Sequence, residues 1–365
     1  MKIFVVVLFS LLFILFSDDG DNNSQKVPDN AIEQLLIETI SDEDIPGIIA
    51  AIVDNNGLRM IEAAGIRKIG SSDSLTVDDL IHLGSCTKAM TSTLLATLVE
   101  SGDIKWETTL IEVFPELEGI VHEDYHQITF HQLVTHRAGV PTNARDWWLF
   151  QELEIKERRV AMIKGNLNEP SLIKQGTYNY SNLGYMIAGS MVEKVIGTSW
   201  ESLIKERLFN RLGMTSADFG IPGTLGSTDQ PWGHIRSSEN WRPIQADNAE
   251  ALGPAGTVHS TFKDWAKFIS LQLPDKEPEI LNRDHLNFLI DPIGKYASGW
   301  GVVKRPWANG MALNHAGSNT MWYVVVWVAP ELNRAFMVGM NSFDENSFSI
   351  ADEIIGELIE FDQSQ

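Results

Sequence analysis

The 365-residue chain sets 28 Lys and Arg against 49 Asp and Glu, a net charge of −21, with 44% apolar and 21% charged residues. That balance holds no basic cluster, which argues against a phosphate backbone or an anionic lipid surface as the partner, and the length suffices for one large domain or two ordinary ones. The single cysteine, Cys86, excludes an intramolecular disulfide, and nine scattered histidines without a His-Glu-x-x-His or a cysteine pair give no sign of a metal or other cofactor.

Taken in order, Met1-Lys2 and the apolar run 3–16, followed by Ser17-Asp18-Asp19-Gly20, read as a secretory signal peptide over residues 1–17. The run is short for a membrane span. It predicts an exported protein; an uncleaved N-terminal anchor is the alternative. Residues 18–30 form a polar, flexible lead-in, and 31–40 carry a helical apolar pattern. Two apolar runs, 47–53 and 58–66, flank Asp54-Asn55-Asn56-Gly57 and predict a β-hairpin. A buried helix is expected after Ser85. Residues 106–249 change character: amphipathic stretches at 129–136, 183–196 and 200–209 with long loops between them predict a mainly helical insertion. Residues 255–273 are read as helix. Strand-like runs follow at 299–303, 311–314, 322–328 and 335–340, then an amphipathic helix at 350–361. Together these predict an α+β fold. One antiparallel sheet is built from both ends of the chain (31–105 and 250–363) and flanked by helices, with the 106–249 lobe inserted.

Chemistry concentrates at Ile81-His-Leu-Gly-Ser-Cys-Thr-Lys88. Ser85 and Lys88 stand three apart, so on a helix they share one face. A helix start favours developing negative charge, and an amine within reach of a hydroxyl can take its proton. Ser-x-x-Lys also occurs at Ser171/Lys174, Ser202/Lys205 and Ser260/Lys263, in polar or amphipathic surroundings where the lysine reads as a solvated face. Only Ser85 opens a nearly uncharged helix; the plainer reading of that serine is an N-terminal cap. Cys86 beside it reads as a small core residue.

Tyr180-Ser181-Asn182 precedes the helix expected from 183. In an extended segment Tyr180 and Asn182 face one cleft. A lysine ammonium nearby would ease ionisation of the phenol, and Asn182 offers a donor and an acceptor to Lys88 or a substrate amide; taken alone, the segment reads as a core aromatic followed by a helix cap. His315-Ala316-Gly317 precedes Ser318 and a late strand, and its small residues permit close approach of a ligand to the backbone. Amide groups at Ser85 and Ser318 together suit an oxyanion hole.

This ordered set, Ser-x-x-Lys, then Tyr-x-Asn, then His-x-Gly, resembles the serine β-lactamase and penicillin-binding-protein superfamily. The Tyr-x-Asn form is similar to the branch of class C β-lactamases, D-alanyl-D-alanine carboxypeptidases, D-aminopeptidases and family VIII carboxylesterases. Leu133-Val-Thr-His-Arg-Ala-Gly-Val-Pro141, Leu208-Phe-Asn-Arg-Leu-Gly-Met-Thr215 and Gly253-Pro-Ala-Gly256 resemble its connecting segments. The resemblance covers about residues 30 to 361.

It implies a β-lactamase/transpeptidase-like fold and a serine hydrolase acting on a small ester or peptide through an acyl-serine. Ser85 would be the nucleophile and Lys88 its proton partner. Tyr180 would act as general base and then acid, and Asn182 would position Lys88 and substrate. The Ser85 and Ser318 N–H groups would form the oxyanion hole, with His315, Ala316 and Gly317 in substrate binding. The third motif departs from Lys-Thr-Gly, replacing a fixed cation by a histidine and removing a hydroxyl. That places esterase or D-amino-acid peptidase activity ahead of true β-lactamase activity. A non-catalytic penicillin-binding or sensor module of the same fold is the remaining alternative.

Overall fold

The computed structural model describes residues 30–237, 240–274 and 280–365. The signal-peptide reading of 1–17, and the lead-in up to residue 29, lie outside the described residues. Among the described residues no helix is long and apolar enough to cross a membrane.

Helix α1 (Ala31–Glu43) leads into β1 (Gly47–Asp54) and β2 (Gly57–Gly65). The Asn55–Asn56 turn closes this hairpin, with Gly57 in the left-handed region at φ +113°. After α2 (Thr87–Glu100), α3 (Ile155–Asn166), α4 (Asn182–Ile196) and α5 (Phe262–Ile269), the chain returns to the sheet. It does so as β3 (Gly301–Arg305), β4 (Gly310–Ser318), β5 (Tyr323–Ala329) and β6 (Arg334–Met340), and closes with α6 (Ser347–Gln363). The sheet runs β2-β1-β6-β5-β4-β3, antiparallel throughout. The N-terminal hairpin therefore pairs with the last strand, as expected for a sheet assembled from both chain ends.

The near-continuous apolar sequence of β1 follows from burial on both faces. Ile48, Ala50 and Ile52 pack with Ile32 and Leu36 of α1 and Ile350, Ile354 and Leu358 of α6. Ile49, Ala51 and Val53 face the opposite way, into the large core that includes α2 and α4. Helix α2 is buried along nearly its whole length and α4 from Leu183 to Glu193, so these two form the centre of the helical side. Arg159 of α3, fully buried, pairs with Glu193 and Glu201 and ties α3 to α4 and to the following helix Trp200–Ile204.

The structure departs from the sequence reading at two places. Residues 255–273 are not one helix: a short turn Gly253–Gly256 gives way to strand Val258–Ser260, and α5 starts afresh where the Thr261 side chain caps the Asp264 N–H. That strand pairs with Ile81–His82 on one side and Asp218–Phe219 on the other. A second small hairpin, Gly233–Ser237 with Asn240–Ile244, lies inside the stretch read as mainly helical.

Candidate active site

Strand Ile81–His82 delivers the chain to a single tight turn, Gly84–Cys86, and only then does α2 begin, at Thr87. The turn is fastened behind by Leu83 N–H to the Val258 carbonyl (2.8 Å) and by Gly84 N–H to His82 Nδ1 (3.1 Å). Gly84 adopts φ +49°. A Cβ there would overlap the Ser318 amide nitrogen, and one on Gly317 would overlap the Leu83 carbonyl and crowd Ser85 N. Glycine at both positions lets the end of β4 lie directly against the nucleophile turn. Ser85 is partly exposed while its neighbours are buried.

Lys88, fully buried, donates to Ser85 Oγ at 3.0 Å and to the Ala255 carbonyl at 2.7 Å. Its Nζ lies 4.9 Å from the Tyr180 ring centre and 5.6 Å from that of Tyr185. Among the described residues no carboxylate lies within ion-pair distance of it. Desolvation pulls its pKa down from 10.5 to about 7. Burial pushes the Cys86 thiol up, so it stays neutral, and its Sγ points to the His315 carbonyl.

Tyr180 lies beside Ser85, and its ring packs, tilted by 43°, on His136 at 4.4 Å between centroids. Burial pushes the phenol up, with the nearby Ser85 hydroxyl acting in the opposite sense. This reverses the sequence expectation, which relied on a lysine ammonium to ease ionisation; that lysine is itself half discharged at neutral pH. His136 shapes the segment. Its Nδ1 accepts the Ser181 N–H (3.0 Å), its Nε2 lies 3.1 Å from the Tyr296 hydroxyl, and its carbonyl accepts the Asn179 N–H (2.8 Å). Ser181 caps α4 through Gly184 N–H (2.8 Å).

Asn182 faces the same cavity as Ser85, but its Nδ2 donates to Asn143 Oδ1 (2.8 Å) and no bond joins it to Lys88. The acceptor that holds Lys88 is the carbonyl of Ala255, in a turn that sequence reasoning treated as a connector. The Gly253-Pro-Ala-Gly256 stretch was its only signal.

In β4, His315 is buried, and its Nδ1 lies 2.5 Å from the Gly299 carbonyl. A carbonyl only accepts, so the proton sits on Nδ1. Burial first, then the charge on Lys88, lower its pKa to about 4, so it supplies no fixed cation at pH 7. Ala316 is exposed and Ser318 stands beside Ser85.

Two cavities flank the nucleophile. One, of ≈ 380 Å³, is lined by Ser85, Asn182, Asn248, Trp147, Leu252 and Ser318 among others and carries no charged side chain. The other, of ≈ 620 Å³, is bounded by Tyr180, His315 and Ala316 and by two cations, Arg137 and Lys295, with no acidic residue in its wall. Arg137 donates to the carbonyls of Thr135 and Ile293, which leave its charge uncompensated. Among the described residues Lys295 has no ion-pair partner. No group of three or more His, Cys, Asp or Glu suited to a metal ion occurs among the described residues.

A sequence model of the Beta-lactamase family matches residues 29–359. The chain is 24% identical over 262 residues to an unguisins hydrolase of Aspergillus campestris, covering 70% of this chain and 48% of that protein. It is 27% identical over 308 residues to Beta-lactamase-like protein 2 of Dictyostelium discoideum (80% and 53%). With Penicillin-binding protein 4 of Amycolatopsis lactamdurans the identity is 23% over 346 residues, 87% of each. The chain thus spans about half the length of the first two relatives. Among solved structures it is similar to an octameric penicillin-binding protein homologue from Pyrococcus abyssi (TM-score 0.74, 21% identity, 90% of this chain and 77% of that one). It is also similar to a class C β-lactamase from Rhodobacter sphaeroides (0.74, 19%, 91% and 99%). A D-alanine carboxypeptidase from Burkholderia cenocepacia gives 0.73, 18%, 89% and 97%. At these identities the likeness establishes a shared fold, the one expected from sequence.

Proposed function

The chain belongs to the Beta-lactamase family, and from that premise we propose that it is a serine hydrolase working through an acyl-Ser85 intermediate on a small ester or amide. The observation that carries this reading is the buried Lys88 amine, 3.0 Å from Ser85 Oγ with a pKa of about 7. A base poised near the working pH has the best combination of protonation state and driving force. Neutral Lys88 takes the Ser85 proton as Oγ bonds to the acyl carbon. The carbonyl oxygen, gaining charge, is received by the Ser85 and Ser318 amides. Tyr180, protonated, passes a proton to the leaving group as its bond to carbon breaks. A water then repeats the steps in reverse and frees Ser85.

Tyr180 lines the cationic cavity, so the leaving group it protonates sits there, and the acyl group takes the uncharged cavity beside Trp147 and Leu252. Arg137 and Lys295 favour a leaving group that bears a carboxylate, as an amino acid does. His315 contributes no charge to that preference. This supports substrates whose leaving group carries a carboxylate, such as a peptide ending in a free amino acid or a carboxylate-bearing ester.

Brief incubation with a p-nitrophenyl ester, acid quenching and peptide mass spectrometry test the acyl-enzyme. An acyl adduct on the Ser85 peptide that disappears as acid product forms is expected. Its absence, or an adduct on another residue, overturns the proposal, and a lasting adduct without turnover points instead to a binding module. The leaving-group preference is read from two substrates sharing one acyl group, one leaving group a free carboxylate and the other its methyl ester. The carboxylate should have the higher kcat/KM. Arg137→Gln should lower that ratio about tenfold, the scale of a charge-assisted hydrogen bond. Lys295→Gln should lower it about threefold, because an exposed charge is screened. Unchanged ratios in both variants would remove these cations from recognition.

A further inference from the structure

His82, three residues before the nucleophile, is fully buried and has both ring nitrogens engaged. Nδ1 accepts the Gly84 N–H at 3.1 Å, so it carries no proton. The proton therefore sits on Nε2, which donates to Asp247 Oδ1 at 2.6 Å. Asp247 Oδ1 also accepts the Asn248 N–H (2.6 Å). The Asn248 amide nitrogen donates to the Gly256 carbonyl (2.7 Å), beside the Ala255 carbonyl that holds Lys88. One carboxylate is thus connected to both halves of the catalytic pair: to Ser85 through His82 and Gly84, and to the seat of Lys88 through Asn248 and Gly256.

Gly84 is the residue whose left-handed backbone sets the direction of the next amide, that of Ser85. The His82 ring holds that backbone from behind. We propose that His82, its tautomer fixed by Asp247, is a positioning residue that holds Gly84 so that the Ser85 amide and hydroxyl face the reacting carbonyl. His82 touches no substrate; it acts through Gly84. Without Asp247 the ring is free to place its proton on Nδ1, where two donors would face each other and the Gly84 bond would be lost. The inference rests on the acyl-Ser85 reading.

Asparagine and leucine at position 82 separate positioning from mere filling. An asparagine oxygen accepts the N–H two residues on, the geometry of an Asx turn, so His82→Asn keeps an acceptor for Gly84 while losing Asp247. His82→Leu fills the same apolar space and offers no acceptor. With enzyme concentration set by the burst of p-nitrophenol, so that misfolded chain is not counted, His82→Leu should lower kcat about 10²-fold, the cost of a displacement near 1 Å, at nearly constant KM. His82→Asn should stay within a few-fold of wild type. Equal kcat in the two variants, or a loss confined to KM, overturns the proposal. Should neither fold, Asp247→Ala against Asp247→Asn makes the same comparison. Long-range ¹H–¹⁵N correlation spectra of the His82 ring supply the second readout. The Nε2–H tautomer is expected in wild type and Asp247→Asn, with Nδ1–H appearing in Asp247→Ala as kcat falls; an unchanged tautomer with full activity in Asp247→Ala removes the role. Absence of any Ser85-dependent ester hydrolysis in the wild-type protein would instead sink the hydrolase reading.

Discussion

Lys88→Met should lower kcat/KM for ester hydrolysis by about 10⁴-fold, the upper range for a positioned base, while the protein remains folded. Methionine fills a similar buried volume and carries no proton acceptor of comparable strength. The Lys88→Met/Ser85→Ala double variant should be no slower than Ser85→Ala, because groups that act as one unit do not add. The wild-type pH profile should carry the same signature. The neutral amine is the active form and its pKa is about 7, so kcat/KM rises as pH increases through 7 and levels above it. A single variant rate within tenfold of wild type, or a profile flat from pH 5 to 9, would dismiss Lys88 as the base.

The same shift has a stability consequence whose sign is fixed. In the unfolded chain the lysine returns to its ordinary value of 10.5, whereas in the fold it lies near 7. Between those values the unfolded state binds the proton that the folded state releases, so stability rises with pH across that window, and below 7 the penalty is complete. Lys88→Met removes the penalty. Its stability relative to wild type should be greater at pH 6 than at pH 9 by about 2–3 kcal/mol, measurable by urea unfolding at both values. An equal difference at the two pH values would mean that the buried amine is not discharged by desolvation. The catalytic base and the cost to the fold then have one origin, an ammonium placed where water does not reach.

That environment also explains what the sequence could and could not convey. Four Ser-x-x-Lys pairs occur, and only their surroundings separate them. Lys205 and Lys263 pair with Asp218 and Asp78 at the surface, and Lys174 is exposed. Lys88 alone of the four is buried without a carboxylate partner. The uncharged run after Ser85 is the sequence trace of that burial, and it was readable because α2 is long. The Asn55–Asn56 hairpin and the late strands were readable from apolar runs of four to nine residues with turn residues between them. Strand Val258–Ser260 was not, since three residues between two helical segments give no period. Contacts set by tertiary structure left no local trace at all. His82 meets Asp247 across 165 positions, and Arg137 and Lys295 meet at one cavity from separate lobes of the sequence. The direction of the Tyr180 shift was misread because burial of the phenol itself decides it, and that burial is set by tertiary packing.

Tyr180→Phe tests the remaining proton. Burial keeps the phenol protonated, so in the resting enzyme it is an acid, and its effect should depend on how much the leaving group needs a proton. With an alkoxide or amine leaving group the expulsion step requires protonation, and loss of the hydroxyl should cost about 10³–10⁴-fold in kcat/KM. A p-nitrophenolate leaves readily as the anion, and there the cost should shrink to about 10-fold, the residue of the polar hydroxyl lost beside Ser85. A plot of the wild-type to variant ratio against leaving-group pKa should therefore climb. A flat plot with a large uniform loss would make Tyr180 the base that strips Ser85 in the first step, in place of Lys88, since that step does not depend on the leaving group's need for a proton. A flat plot near unity would leave the ring with packing against His136 as its only contribution. The slope thus assigns the two proton-carrying groups, one held neutral near pH 7 by desolvation and the other held protonated by it, to opposite ends of the same transfer.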